Sequence, residues 1–161
     1  MIWFRWALVL LAGAVLLVLL AGQLGWLGGP EPSNLGVREG RLKPPSSTPN
    51  SVSSQAMLWP GHPQRQAAQI DPIALRGDGA ATIARIKAII EAMPGAELVD
   101  AREDYLYARF TSRWLGFVDD TEFWVDPTAQ VVQVRSASRV GRRDFGVNRQ
   151  RIEAIRAALG P

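Results

Sequence analysis

The 161-residue chain has no cysteine, which excludes disulfides, thiolate metal ligands, cysteine nucleophiles and lipid attachment through a thiol. Its single histidine, His62, lies between a glycine and a proline, so no histidine-based metal centre can form. Lysine is scarce too: Lys43 and Lys87 stand against 16 arginines, an imbalance that anion recognition or an arginine-biased codon usage would equally produce. The net charge of +3 is small, and no long basic run precedes residue 135, which argues against a nucleic-acid partner. Recognisable metal and cofactor patterns are missing. Asp119, Asp120, Glu122 and Asp126 are oxygen donors without the glycine or the regular alternation of a calcium loop, so neither a metal nor a cofactor is expected. Ser53 and Ser54 lack an oriented base and a nucleophile-elbow motif.

What the chain has in quantity is apolar residues at its N-terminus. Residues 6–29 carry no charge, and the stretch "WALVLLAGAVLLVLLAG" continued through "QLGWLGG" reaches the roughly 20 residues that a helix needs to cross a bilayer. Trp3 and Trp6 flank one end and Trp26 the other, and Arg5 is the only cation on the short N-terminal side. These features predict a single-pass membrane anchor over residues 1–29, partnered by the membrane through residues 6–29. The N-terminus is expected in the cytoplasm and the C-terminal domain outside it, in a periplasmic or envelope setting. A cleaved signal peptide is the rival reading, but "LAGQLG" fits a small-residue cut site poorly, and Gln23 stands where a lipoprotein would need cysteine.

Eight of the eleven prolines fall between Pro30 and Pro72. Proline cannot sustain a helix or join the middle of a sheet, so residues 30–49 read as an extended stem able to hold the domain tens of ångströms from the bilayer, at about 3.1 Å per residue. Residues 50–72 are expected to lie pinned on the surface of a domain spanning 50–161. Asp78 is placed to cap a helix in which Ile83, Ile86, Ile90 and Met93 recur at helical spacing until Pro94 and Gly95. "AELVDA", "YLYARFTSR", "TEFWVD" and "QVVQVRSA" then read as four antiparallel strands, and Asn148 as the cap of a last helix with Ile152, Ile155 and Leu159 on one stripe. The predicted fold is α+β: an N-terminal transmembrane helix, then a roughly four-stranded antiparallel sheet covered on one face by two helices. The other face is expected to be partly exposed, with Tyr105, Tyr107 and Arg109 lining it.

Charge is unevenly divided. Residues 102–126 hold six acids and three arginines, and residues 135–156 hold seven arginines and two acids. The plain expectation is that Asp119 and Asp120 pair with arginines such as Arg135, Arg139 or Arg142, making "RSASRVGRRDFGVNRQRI" a structural corner. Were some guanidinium groups left free, Ser136, Ser138, Arg139, Arg142, Asn148 and Arg149 would supply forks, hydroxyls and a helix N-terminus for a phosphate or carboxylate.

Three ordered motifs, "PNSVSSQA" at 49–56, "GFVDDTEFWVD" at 116–126 and "VRSASRVGRRDFGVNRQRIEAIR" at 134–156, resemble the domain of unknown function 1499 over about residues 36–160. Proteins of this pattern occur in bacterial envelopes or membranes and in chloroplasts. The resemblance implies cysteines at the positions of Pro45 and Ser51, hence a stem disulfide that this chain lacks. It implies no activity, cofactor or catalytic residue. The expected function is therefore a non-enzymatic, membrane-anchored envelope module, either structural or binding an anionic small molecule, a lipid headgroup or an envelope protein partner. A hydrolase using an acidic loop at Asp119 and Asp120 is the alternative.

Overall fold

The computed structural model describes residues 2–160. Helix α1 (Ile2–Gln23) is 22 residues long, with a mean hydropathy of 2.4 over its most apolar 18-residue window. At 1.5 Å per residue it spans about 33 Å, enough to cross a hydrocarbon core of roughly 30 Å, a length and composition that signal sequences can share. Its last turn is not free. Gly22 is buried against the backbone of Leu115, close enough that an added Cβ would lie 2.6 Å from the Leu115 carbonyl oxygen. Gln23 Nε2 donates to the carbonyls of Arg113 and Trp114 at 2.9 and 3.2 Å.

The first predicted features of the domain form as expected. Asp78 accepts the Ala81 N–H at 2.7 Å and caps α2 (Gly79–Glu91), which buries Ile83, Ile86 and Ile90. Strands β3 (Ala96–Ala101), β4 (Tyr105–Thr111), β5 (Val118–Asp126) and β6 (Val131–Ser138) follow as an antiparallel meander. Helix α3 (Val147–Ala158) closes the chain, burying Ile152 and Ile155.

The sheet has six strands rather than four. Two short strands from the proline-rich region, β1 (Ser51–Ser53) and β2 (Ile73–Ala74), both pair antiparallel with the outer edge of β6. Stretches of three and two residues cannot show an alternation, yet they cover an edge that would otherwise present unpaired backbone groups. Residues 50–72 are thus woven into the domain, with Ala56, Ala68 and Ile70 buried.

Alternation along the strands separates two unlike faces. Leu106, Ala108, Phe110, Phe123, Val132 and Val134 meet α2 and α3 in the main core. Tyr105, Tyr107, Asp120, Glu122 and Arg135 point the other way. That second face, expected to be partly exposed, is covered by residues 30–45. Leu35, Val37 and Leu42 pack on Tyr105, Tyr107 and Trp124. The stem also trades hydrogen bonds with the domain: Gly36 N–H to Glu122 Oε1 at 2.7 Å, Leu42 N–H to Gln55 Oε1 at 2.8 Å, and Arg135 Nε to the Pro44 carbonyl at 3.1 Å. Within the segment Arg38 and Arg41 exchange backbone bonds, and its prolines have no N–H to satisfy. Near the positions where the resemblance implies a disulfide, Ser51 Oγ accepts the Ser46 N–H at 2.8 Å and Pro45 is buried.

Candidate functional site

Two polar clusters flank β5 and β6, one on each face. On the helix side the centre is Asn148, wholly buried. It is not the cap predicted from sequence. Gly146, at φ 84°, precedes the helix, and the Asp144 carboxylate accepts the N–H groups of Gly146 and Asn148 at 3.1 and 3.0 Å. The side chain of Asn148 is thereby released inward. Its Oδ1 accepts from Ser136 Oγ and from Arg151 Nη1, and its Nδ2 donates to the Asn50 carbonyl, Ser138 Oγ and Asp144 Oδ2. Ser136 also meets Thr121 at 2.7 Å, and Arg151 bonds Asp119 at 2.6 Å while stacking over Phe110. Apart from Asn50 Oδ1, which is buried without a hydrogen bond, donors and acceptors answer one another, so this cluster is a structural corner joining β6 to α3.

On the stem side, Arg139 grips Asp120 through Nε and Nη2 at 2.9 and 2.8 Å and also donates to Tyr107 Oη, which itself donates to Asp120 at 2.6 Å. The hydrogen bonds to Asp120, opposed by burial, raise the Arg139 pKa above its ordinary value. One layer along, Glu122 and Arg135 approach only to 3.7 Å, with Glu122 Oε2 buried and without a hydrogen bond. Burial dominates both groups. It pushes the Glu122 carboxyl up against the pull of Arg135, and it pushes the Arg135 guanidinium down. Burial also raises the Tyr105 hydroxyl, which donates to Glu122 at 2.8 Å.

Between this charged layer and the stem lies a cavity of about 350 Å³ whose walls include Asn34, Lys43, Arg135, Ser138 and Arg139, with Glu31 and Asp120 as its acids. Asp120 is taken by Arg139 and Glu31 reaches Arg109 at 3.4 Å. Lys43 is left with a neutral partner, Asn34 Oδ1 at 2.6 Å, and has no carboxylate in salt-bridge reach among the described residues. Burial lowers its pKa and the neighbouring Arg135 lowers it further, against the opposing pull of Glu122 and Asp120.

The six arginine-segment candidates therefore do not converge. Arg139 lines the cavity, whereas Ser136 and Asn148 belong to the buried corner on the opposite face; Ser138 borders the cavity but turns its hydroxyl to Asn148 in that corner. Arg149 binds the carbonyls of Ala67 and Gln69 at 3.1 and 2.7 Å, and Arg142 is exposed. Asp119 and Asp120 lie in strand β5, not in a loop, and point to opposite faces. Of the expected pairings, Asp120 finds Arg139, while Asp119 takes Arg151 and Arg135 takes Glu122. Sequence reasoning passed over Lys43 and Asn34 as cavity residues, because a stem taken as a spacer contributes no wall, and it placed Arg135 only as a partner for Asp119 or Asp120. One of only two lysines, set among prolines, was the available signal.

No curated protein and no solved structure matches the chain. The profile of the family described as "Protein of unknown function (DUF1499)" matches residues 41–159, which covers all six strands, α2, α3 and, of the sheet's stem-side cover, the part from Arg41 with Leu42. The chain belongs to this family of unknown function, DUF1499.

Proposed function

We propose that the protein is a non-enzymatic, membrane-anchored envelope module whose domain, outside the cytoplasm, binds a small anionic group in the stem-side cavity. The observation that carries this reading is Lys43: a half-buried ammonium with no carboxylate in salt-bridge reach among the described residues, in a cavity wall shared with two guanidinium groups. An anion placed there would offset the charge that burial and Arg135 make costly. Retention of α1 as an uncleaved anchor is supported by its packing, since cleavage after Gly22 would strip a surface that Leu115 and Gly116 fit. Arg5, on the short N-terminal side, supports a cytoplasmic N-terminus. A hydrolase reading has no matching support, because Asp119 and Asp120 are each held by an arginine on opposite faces of the sheet.

The test is thermal unfolding of the full chain in a zwitterionic detergent with inorganic phosphate, glycerol phosphate, or short-chain phosphatidylglycerol against phosphatidylcholine. A ligand bound only by the folded state raises the midpoint. Stabilisation by the phosphatidylglycerol alone assigns a headgroup, and stabilisation by the water-soluble anions assigns a free ligand. Lys43→Gln should abolish either shift. Equal shifts in parent and variant, or none in the parent, would reject the cavity as the site.

A further inference from the structure

Beyond the cavity, the tip of the β4–β5 hairpin has features that no packing role absorbs. Ser112 to Phe117 form a turn in which Ser112 N–H bonds the Phe117 carbonyl at 2.8 Å and Ser112 Oγ accepts the Phe117 N–H at 3.0 Å. This turn carries large apolar side chains outward: Trp114 is 64% exposed and Phe117 39%. The guanidinium of Arg113 lies 5.0 Å from the Trp114 ring centre, and there is no acid between Thr111 and Val118.

The position of the tip decides what such a surface meets. Gly116, at φ 62°, sits so close to α1 that an added Cβ would lie 2.3 Å from the Gly22 carbonyl oxygen. With the Gln23 bonds to Arg113 and Trp114, this fastens the hairpin to the last turn of α1. A helix of about 33 Å that begins at one headgroup layer ends at the other, so Gly22, Gln23 and the hairpin tip share one depth. Leu24 and Trp26, 65% and 76% exposed, follow at that level. Tryptophan rings beside a cation suit the boundary between acyl chains and phosphates, where the ring is half desolvated and the cation meets lipid phosphate.

We infer that Arg113, Trp114 and Phe117, together with Leu24 and Trp26, form a foot that seats the domain in the headgroup layer of the bilayer spanned by α1. The occupant of this surface is lipid. The inference rests on the proposal that α1 is a retained membrane anchor, and it adds that the domain lies on the membrane instead of being held away from it. The foot adjoins the cavity, because Arg139 lines both it and a hollow of about 440 Å³ between the end of α1 and the hairpin.

Because the chain has no cysteine, single nitroxide labels can be introduced cleanly. Full-length Arg113→Cys, Gly13→Cys and Ser47→Cys variants would be reconstituted into phosphatidylcholine–phosphatidylglycerol vesicles. Power saturation would then compare access to oxygen, which enters the bilayer, with access to a water-soluble nickel chelate. Gly13 lies in mid-helix with open space for a side chain, and Ser47 is exposed on the domain. The expected result is a deep label at Gly13, a label at Arg113 that has lost most chelate access, and a fully accessible Ser47. Adding Trp114→Ser and Phe117→Ser to the Arg113→Cys chain should restore chelate access at Arg113, while the same pair added to Gly13→Cys leaves Gly13 deep. Equal chelate access at Arg113 and Ser47 with Gly13 still deep would overturn the foot and leave the anchor standing. Chelate access at Gly13 would overturn both.

Discussion

Glu122 and Arg135 face each other between β5 and β6 with almost no solvent, and their separation leaves Glu122 Oε2 without a hydrogen bond. A buried pair of this kind is costly to break and much less costly to replace, since one partner alone is an uncompensated charge. Glu122→Leu, which leaves the Arg135 guanidinium, the Gly36 N–H and the Tyr105 hydroxyl without their buried acceptor, is therefore expected to destabilise the full chain by about 3–5 kcal/mol in urea unfolding, and adding Arg135→Met should recover much of that loss. A double variant no better than the single one would show that the two charges do not depend on each other. The pH dependence has a definite sign. Glu122 keeps its proton to a higher pH folded than unfolded, so its contribution is complete below the ordinary value of 4.5 and lost as pH rises through the raised folded value. Glu122→Gln, which stays neutral at every pH, should accordingly gain stability relative to the parent as pH rises above 4.5, and a constant difference would contradict the upward shift. Sequence showed the complementary charges but not these pairings, which depend on the register that sets Glu122 opposite Arg135 and on the turn that brings Arg151 back to Asp119.

At the scale of elements, periodicity was readable wherever an element was long enough to repeat. Ile83, Ile86 and Ile90 mark α2, and the alternation through Leu106, Ala108 and Phe110 marks β4. It was unreadable in β1 and β2, whose pairing with β6 comes from tertiary contact alone. The cap of α3 was misread because Asn148 and Asp144 are both good capping residues, and only the position of Gly146 in the left-handed region decides between them. Pro94 and Gly95 were legible as the stop of α2, and Gly95 shows why the stop is glycine. It has φ 74°, and an added Cβ would lie 2.3 Å from the Thr111 carbonyl oxygen, whose residue donates its own N–H to Gly95. Gly61 has φ 81° with open space around it. Gly61→Ala should cost only the left-handed conformation, about 1–2 kcal/mol. Gly95→Ala adds a backbone collision and should cost clearly more. Equal losses in calorimetric unfolding would mean that the β3–β4 edge yields freely at Thr111.

For the whole molecule, the decisive difference between expectation and structure is the stem. Composition alone made residues 30–49 a spacer, since prolines and serines carry no core pattern. In the folded chain Leu35, Val37 and Leu42 supply the second cover of the sheet, and Gly36 and Pro44 supply polar partners for Glu122 and Arg135. These are isolated residues at irregular spacing, legible only against the face they cover. Burying three aliphatic side chains is worth roughly 5 kcal/mol even when two are only partly covered, which is comparable with the 5–15 kcal/mol net stability of an ordinary domain. A chain of residues 30–161 should therefore unfold cooperatively, whereas one of residues 46–161 should lose its cooperative transition and bind a hydrophobic dye through exposed Tyr105, Tyr107 and Trp124. If both fragments unfolded at the same denaturant midpoint, the stem would be a tether after all, and the cavity that it walls would have no fixed shape in which Lys43 could hold an anion.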